Sequence, residues 1–279
     1  MKAHCWVDGQ SSDHVSIFDR GLLYGDGFFT TVRVEQGKLL NWPAHRWRVR
    51  ISLDRLGFAP ELLEALEADL TGIAAHFGQG EGVLKCIVTR GDGSRGYVPR
   101  EGVATRIVQF FPGLPQAKEG ALSLDISPVV AMTQPQLAGI KHLCQLTQVL
   151  AARESGGREV LMLDEDQAIV GGLYSNVVFL QQRTLYTPRL DHAGVWGTSL
   201  RALQQVAGQL GYDWRKTRVS LGRACDMQGM ALLNAVRGLR PVVEVGARAP
   251  CRFDPNVWQP LAQRLEAYFR EQAWCPQDG

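Results

Sequence analysis

The chain has 279 residues, of which 45% are hydrophobic, with 30 basic and 28 acidic side chains and a net charge of +2. That composition supports a sizeable core in one large domain or two ordinary ones. The balanced, scattered charge argues against nucleic acid or a membrane surface as a partner. No apolar run is long enough to cross a bilayer, and the N-terminus lacks the apolar segment of a signal peptide. We therefore expect a cytoplasmic protein.

The six cysteines lie far apart, and none forms a CxxC or Cys/His pair; they are Cys5, Cys86, Cys144, Cys225, Cys251 and Cys275. Metal sites and disulfide frameworks need recognisable cysteine spacing. We accordingly expect reduced thiols and no metal site.

The N-terminal part combines strand and helix patterns. After short strand pieces, residues 28–40 (FFTTVRVEQGKLL) predict a hairpin with its turn at 35–37. Pro43 suits the first turn of a helix over 43–56. A second helix over 60–77 is followed by strands at 82–90 and 104–112, which we expect to be neighbours.

A segment rich in proline, glycine and charge, PGLPQAKEG at 112–120, predicts an interdomain linker. The expected division is a smaller N-terminal domain at 1–112, a linker at 113–120 and a larger domain at 121–279 that carries Lys141. The second part shows a strand at SLDISPVV, a helix to about Glu154, several strands, a helix at 198–210, more strand at 231–248 and a terminal helix at 256–273. This mixture predicts an α+β fold.

Residues 91–96, GDGSRG, fit the dinucleotide pattern G-x-G-x-x-G after a strand. That motif requires a helix to begin at the glycines, so that its N-terminus meets the pyrophosphate. The following residues, YVPREG, have no helical pattern. We interpret the segment as a turn that contacts substrate.

Lys141 follows the small pair Ala138-Gly139, just before an apparently amphipathic helix. Partial burial and neighbouring cations can lower a lysine pKa enough for its amine to attack a carbonyl. Taken alone, this position is more typical of a solvated lysine.

Other segments change that interpretation. They are DRGLLYGDGFFTTVRV (19–34), AHRWRVRISLDRLG (44–57), TRGDGSRGY (89–97), ATRI (104–107), AGIKHL (138–143), SNVVF (175–179) and YTPRLDHAGVWG (186–197). In this order they resemble the fold-type-IV pyridoxal-phosphate enzymes. That family includes branched-chain and D-amino-acid aminotransferases and 4-amino-4-deoxychorismate lyases, and RGDGSRGY, AGIKHL and YTPRLDHAGV look most like the lyases. The resemblance implies a two-domain fold with a cofactor cleft between the domains, and a homodimer.

The resemblance also implies roles for individual residues toward pyridoxal 5'-phosphate. Lys141 resembles the lysine that holds the cofactor covalently and later moves protons. Arg48 resembles the phosphate-binding arginine, and its guanidinium fork suits phosphate oxygens. Thr198 and Ser199 open a helix, whose N-terminus suits the remaining phosphate oxygens. Asn234 resembles part of a second loop near the phosphate.

For the substrate, Thr31 resembles a threonine close to the reacting carbon. Arg106 resembles an arginine that binds a substrate carboxylate, and Arg95 and Tyr97 lie in a neighbouring loop. Tyr24 and Phe29 are as readily read as packing residues.

The implied reaction converts 4-amino-4-deoxychorismate to 4-aminobenzoate and pyruvate, for folate synthesis. One alternative is an aminotransferase acting on D-amino acids or branched-chain substrates. Another is a divergent, cofactor-free member that serves as a binding protein.

One position departs from the family pattern. In the family, a glutamate keeps the pyridine nitrogen of the cofactor protonated. When this segment is aligned on Ser175 and Asn176, the position of that glutamate is occupied by Gly171. Cys144 and Thr147 also replace the Asn and Glu common in the lyases. Three explanations remain open. The residue was replaced in this chain; a nearby group such as Asp164, Glu165 or a water substitutes; or the protein is a divergent relative with a weaker electron sink.

Overall fold

The computed structural model describes residues 3–78, 80–93, 95–99, 104–116, 120–246 and 250–278. Residues 117–119 of the predicted linker, 247–248 of the predicted strand and Ser94 of GDGSRG lie outside these ranges. Contacts divide the chain into two units. The first comprises Met1–Pro115, Ile140–Cys144 and Arg270–Gly279, and the second comprises Gln116–Gly139 and Gln145–Phe269.

This division differs from the predicted one at two segments. Lys141 falls in the first unit, because its carbonyl accepts the Phe29 N–H at 2.9 Å and the Leu143 N–H bonds to Gly27 at 3.0 Å. The C-terminal segment joins the same unit, because Leu39 and Trp274 exchange two backbone hydrogen bonds. Both contacts are far apart in sequence, so composition at the linker could not reveal them.

The first unit is built on an antiparallel six-stranded sheet in the order β2-β1-β6-β5-β3-β4. Its strands are β1 (His4–Val7), β2 (Gln10–Ser11), β3 (Gly27–Glu35), β4 (Lys38–Leu39), β5 (Glu81–Thr89) and β6 (Thr105–Pro112). Its helices are α1 (Arg20–Tyr24), α2 (Trp42–Leu56) and α3 (Leu62–Ile73), the last continuing as a 3₁₀ turn over Ala74–Phe77. The predicted hairpin, both helices and the pairing of the two later strands are confirmed.

Strand β3 alternates between two environments, because successive side chains point to opposite faces of a sheet. Phe28, Thr30, Val32 and Val34 are fully buried and belong with the core under α2 and α3. Phe29 and Thr31 lie on the other face and are only partly buried. The two adjacent threonines therefore occupy opposite faces.

The second unit contains a larger mixed sheet, with β12-β11-β10-β13-β14-β7-β8-β9 along its path and β15 paired to β14. Its strands are β7 (Leu122–Ile126), β8 (Val160–Leu163), β9 (Ile169–Gly172), β10 (Asn176–Gln181), β11 (Thr184–Pro188), β12 (Asp213–Thr217), β13 (Gly229–Asn234), β14 (Gly238–Val245) and β15 (Cys251–Arg252). Its helices are α4 (Leu146–Glu154), α5 (Thr198–Gln209), α6 (Leu221–Cys225) and α7 (Gln259–Glu271), with a 3₁₀ turn at Pro255–Trp258. A further 3₁₀ turn, Pro276–Asp278, lies near the C-terminus in the first unit.

Two expectations for the second unit need correction. Helix α4 is not simply amphipathic: only Ala151 is buried, whereas Leu146, Val149 and Leu150 are exposed. The expectation of reduced thiols fails for Cys225 and Cys251, which form a disulfide because α6 and β15 bring their Cα atoms to 4.9 Å. The other four cysteines are free.

Within the described ranges, every helix is too short or too polar to reach across a bilayer.

Candidate functional site

Lys141 lies beside the N-terminal end of β3. His142 forms an antiparallel bridge with Phe28, which places Lys141 level with Phe29. Its Nζ sits 4.5 Å from the centroid of the Phe29 ring, and the Nζ of Lys85, on β5, lies 4.9 Å from the same centroid. Such cation–π contacts contribute roughly 0.5–2 kcal/mol each. Two amines are thus held over one ring on the face of the sheet opposite Phe28 and Thr30.

The surroundings of Lys141 lower the pKa of its amine. Burial, together with the positive charges of Arg48 and Lys85, lowers the pKa of its amine to about 7. Burial also lowers the pKa of Lys85. A lysine with a pKa near neutrality has a substantial neutral fraction at physiological pH, as a nucleophile or a general base requires.

Lys85 is a site residue that the sequence interpretation missed. In the pairing of β3 with β5 it stands directly opposite Thr31. Cross-strand partners on one face have Cβ atoms about 4.5–5.5 Å apart. The signal was a single lysine in the apolar strand GVLKCIVTR, but its importance depends on register.

Arg48 is buried in the first unit, where α2 covers the sheet. Its Nη1 donates a long hydrogen bond of 3.5 Å to Thr30 Oγ1, and Thr30 Oγ1 also shares a 2.7 Å hydrogen bond with His45 Nδ1. Burial lowers the pKa of Arg48 to about 10, and burial and then Arg48 lower the pKa of His45 well below its usual value. Arg48 is therefore a charged guanidinium beside a neutral imidazole, an arrangement suited to an anion.

Arg106 does not lie with Thr31. It pairs with Val88 across β6 and β5, which puts it on the helix-covered face. There its Nε donates to Asp69 Oδ2 at 2.6 Å, and its Nη1 lies 3.4 Å from Asp8 Oδ1. The predicted substrate arginine is thus held in an ion-pair network with α3. Sequence alone could not assign its face, because alternation gives no absolute orientation without register.

Arg95 and Tyr97 lie in an exposed bend after β5, and the described residues 95–99 contain no helix. The Tyr97 side chain is 86% exposed and makes an edge contact with Tyr24, with ring centroids 5.7 Å apart.

In the second unit, the N-terminus of α5 has the features of an anion site. Thr198 and Ser199 are each 1% exposed, and the Ser199 Oγ has no hydrogen-bond partner among the described residues. Gly197 precedes the helix, and a Cβ there would overlap Asn176 Oδ1. The first N–H groups of a helix lack internal partners and favour anions. An orphaned buried hydroxyl at this point fits a phosphate oxygen.

Asn234 uses its side chain locally. Its Oδ1 accepts the N–H groups of Val236 and Arg237 at 3.1 and 2.9 Å, and its Nδ2 donates to Ser175 Oγ at 3.2 Å. It therefore shapes the turn between β13 and β14, and any anion contact in this loop would fall to its neighbours.

The position lacking the family glutamate is Gly171, on β9. A Cβ there would stand 3.0 Å from the Ser175 carbonyl oxygen, so even alanine would require that carbonyl to shift slightly. Of the suggested substitutes, the Asp164 carboxylate already accepts hydrogen bonds from the N–H groups of Asp166 and Ala168 and from Arg218. The other, Glu165, is exposed.

Glu159 is a partly buried carboxylate in this region, and its oxygens already accept hydrogen bonds. Its oxygens accept the Tyr174 N–H at 2.9 Å and the Ser175 hydroxyl at 3.1 Å. A Cβ on Gly172, and not on Gly171, would collide with it. Adjacent strand residues face opposite ways, so Glu159 lies on the wrong side to replace the missing glutamate.

Comparison with known proteins identifies related chains over nearly the whole length. Over 250 residues the chain is 29% identical to an aminodeoxychorismate lyase of Vibrio harveyi, covering 87% of this chain and 91% of that one. The crystal structure of 4-amino-4-deoxychorismate lyase from Pseudomonas aeruginosa superimposes with a TM-score of 0.83 and 32% identity, covering 96% and 98% of the two chains. A D-alanine aminotransferase of Bacillus licheniformis is 24% identical over 262 residues, covering 90% of this chain and 92% of that one.

The family model described as amino-transferase class IV matches residues 27–245, which include β3, Arg48, Lys141 and the start of α5. With most of its length matched, this chain belongs to the amino-transferase class IV family.

Proposed function

We propose that this protein is a pyridoxal 5'-phosphate-dependent carbon–oxygen lyase that eliminates pyruvate from 4-amino-4-deoxychorismate and releases 4-aminobenzoate for folate synthesis. Relatives that carry the lyase name match over nearly the whole chain at 29% and 32% identity. The observation that carries the proposal is the Lys141 amine, with a pKa of about 7, held over Phe29 on the face that Thr31 and Lys85 share.

The residues fit the cofactor at the groups argued above. Lys141 supplies the amine for its carbonyl carbon. Within the first unit, Arg48 is the group we assign to its phosphate. Within the second unit, the α5 N-terminus with Ser199 is a separate anion-binding feature. When bound, the cofactor supplies an electron sink for the carbanion that forms on the substrate. Gly171 offers no side chain to its pyridine nitrogen.

The protein's own part in the reaction is proton transfer and orientation. The neutral Lys141 amine accepts the proton from the substrate ring carbon that bears the nitrogen. The carbon–oxygen bond to the enolpyruvyl group then breaks as the ring becomes aromatic. The departing oxygen takes a proton from Lys141, with the Thr31 hydroxyl as a relay. Lys85, opposite Thr31, offers a cation to a substrate carboxylate.

A homodimer and a cytoplasmic location belong to the same proposal. The segment around α1 exposes a group of large apolar side chains, 48–71% accessible: Ile17, Phe18, Leu22 and Leu23. Contiguous exposed apolar surface marks association sites. Sedimentation analysis of the wild type and of Leu22→Glu tests the proposed homodimer contact. A dimer that persists unchanged in the variant would place the contact elsewhere.

The decisive experiment is an assay with purified protein, added cofactor and 4-amino-4-deoxychorismate, following both pyruvate and 4-aminobenzoate. We expect the two products in equal amounts. A parallel reaction with D-alanine and a 2-oxo acid measures transamination, which we expect to be nearly absent. Transamination without elimination would replace the lyase with an aminotransferase. Failure to bind the cofactor would leave a binding protein.

A further inference from the structure

Arg20, at the first position of α1, is a buried charged residue that the proposed reaction does not use. Its side chain is 3% exposed. Its Nε donates to Asp26 Oδ2 at 2.9 Å, and its two terminal nitrogens donate to the carbonyls of Gly96 and Tyr97, each at 2.8 Å. The guanidinium also stacks over the Tyr24 ring, 4.8 Å from its centroid.

The segment after β5 is shaped around this side chain. The Gly93 N–H donates to the Phe18 carbonyl at 3.1 Å, and a Cβ on Gly93 would collide with the Arg20 methylene groups. The Gly96 N–H donates to the Tyr24 hydroxyl at 3.2 Å. Four separate hydrogen bonds thus fix Gly93, Gly96 and Tyr97 to α1 and its flanks.

The fixed backbone presents exposed side chains. Tyr97 and Val98 are 86% and 81% exposed, although their segment is tied to a buried arginine. An exposed loop normally has backbone freedom, and fixing it costs entropy. A loop held by its carbonyls while its aromatic side chain stays accessible is preorganised for contact with something outside it.

We propose that Arg20 is a positioning residue, whose guanidinium fixes the Arg95–Tyr97 segment in the conformation that receives the substrate. The substrate part of this inference rests on the proposed lyase function. Lysine cannot replace this arginine, because one ammonium cannot reach Asp26 and two separate carbonyls in a planar fork.

The chain offers a matched control in Arg90. It shares Asp26 with Arg20, but its Nη2 and Nη1 also donate to the carbonyls of Leu56 and Gly57 at the end of α2, at 2.6 and 2.9 Å. Arg90→Lys therefore perturbs the same carboxylate without touching the loop carbonyls.

The test compares Arg20→Lys, Arg90→Lys and wild type as cofactor-loaded proteins. Limited trypsin digestion with mass spectrometry measures cleavage after Arg95, next to a held carbonyl. Loss of charge-assisted hydrogen bonds should raise that cleavage rate about ten- to a hundredfold in Arg20→Lys alone. Lyase kinetics should show a KM raised about tenfold with kcat within about twofold, the pattern of lost substrate positioning.

Unchanged cleavage in Arg20→Lys would overturn the proposal, and so would faster cleavage with an unchanged KM. If wild type lacks lyase activity, the proposed function fails, while the cleavage comparison still decides whether Arg20 holds the loop. Should Arg20→Lys not fold, Tyr24→Phe removes only the acceptor of the Gly96 N–H. Cleavage after Arg95 must then rise, and an unchanged rate would count against the inference.

Discussion

The amines of Lys141 and Lys85 lie over the same aromatic ring, 4.5 and 4.9 Å from the centroid of Phe29. The positive charge of Lys85 makes protonation of Lys141 less favourable. The pair therefore combines a reactive amine with a nearby cation.

Lys141→Ala should abolish turnover and covalent cofactor attachment while the fold stays intact. The reason is that burial and the charges of Arg48 and Lys85 lower the pKa of the Lys141 amine to about 7. Borohydride reduction and mass spectrometry measure attachment, with Lys216→Ala in the second unit as the control. Near-normal lyase activity in Lys141→Ala would remove the assignment.

The reactivity of Lys141 should rise with pH through about 7 and then level off, because only the neutral amine is nucleophilic. Lys85→Met removes a neighbouring positive charge, so it should shift the midpoint upward. Trace acylation of the cofactor-free protein across pH, with peptide mapping, reports both midpoints. A midpoint near that of free lysine in the wild type would contradict the lowered pKa.

Arg48→Ala should weaken cofactor binding by about 1.5–3 kcal/mol, the scale of a hydrogen bond to a charged group. Arg46→Ala is the control, since Arg46 lies on the same helix but pairs with Glu67. Equilibrium titration followed by visible absorbance gives both affinities. Equal affinities in the two variants would mean that other groups carry the phosphate.

Substitutions of Arg106 and Thr31 should affect different properties, stability for Arg106 and turnover for Thr31. Arg106→Met should mainly lower stability, by about 1–3 kcal/mol, because it leaves Asp69 without its partner in a largely buried site. Thr31→Val, which keeps the shape, should lower kcat if the hydroxyl relays a proton. Urea unfolding and steady-state kinetics on both variants separate these effects. A raised KM with unchanged stability in Arg106→Met would restore its predicted contact with substrate.

Gly171→Glu should raise kcat for the lyase reaction, because a carboxylate paired with a pyridinium favours the protonated ring. A side chain here must first displace the Ser175 carbonyl, 3.0 Å from the new Cβ. Gly171→Ala isolates that steric cost, so the informative ratio is Gly171→Glu over Gly171→Ala. A ratio of one or less would reject the electron-sink argument. Aromatisation of the product explains why elimination can proceed with the weaker sink.

Local features were predictable from the sequence. Periodicity and turn residues located the β3–β4 hairpin, α2 and α3, because these patterns depend on neighbours along the chain. The roles of Lys85 and Arg106 could not be predicted from such local patterns. Each sits on a strand, and its role depends on which face it takes in the register of β3, β5 and β6. The place of Lys141 in the first unit likewise depends on backbone bonds to β3.

Because Thr30 and Thr31 have different partners, the function of this protein should depend on the register of β3. Thr30 holds His45 and approaches Arg48 on the buried face, while Thr31 faces Lys85 on the other. Slippage by one residue would exchange them without changing composition, and would also bury Phe29 in place of Phe28. Insertions or deletions within this strand should therefore be tolerated only in pairs, so that length variation among relatives would accumulate in the turn after Glu35.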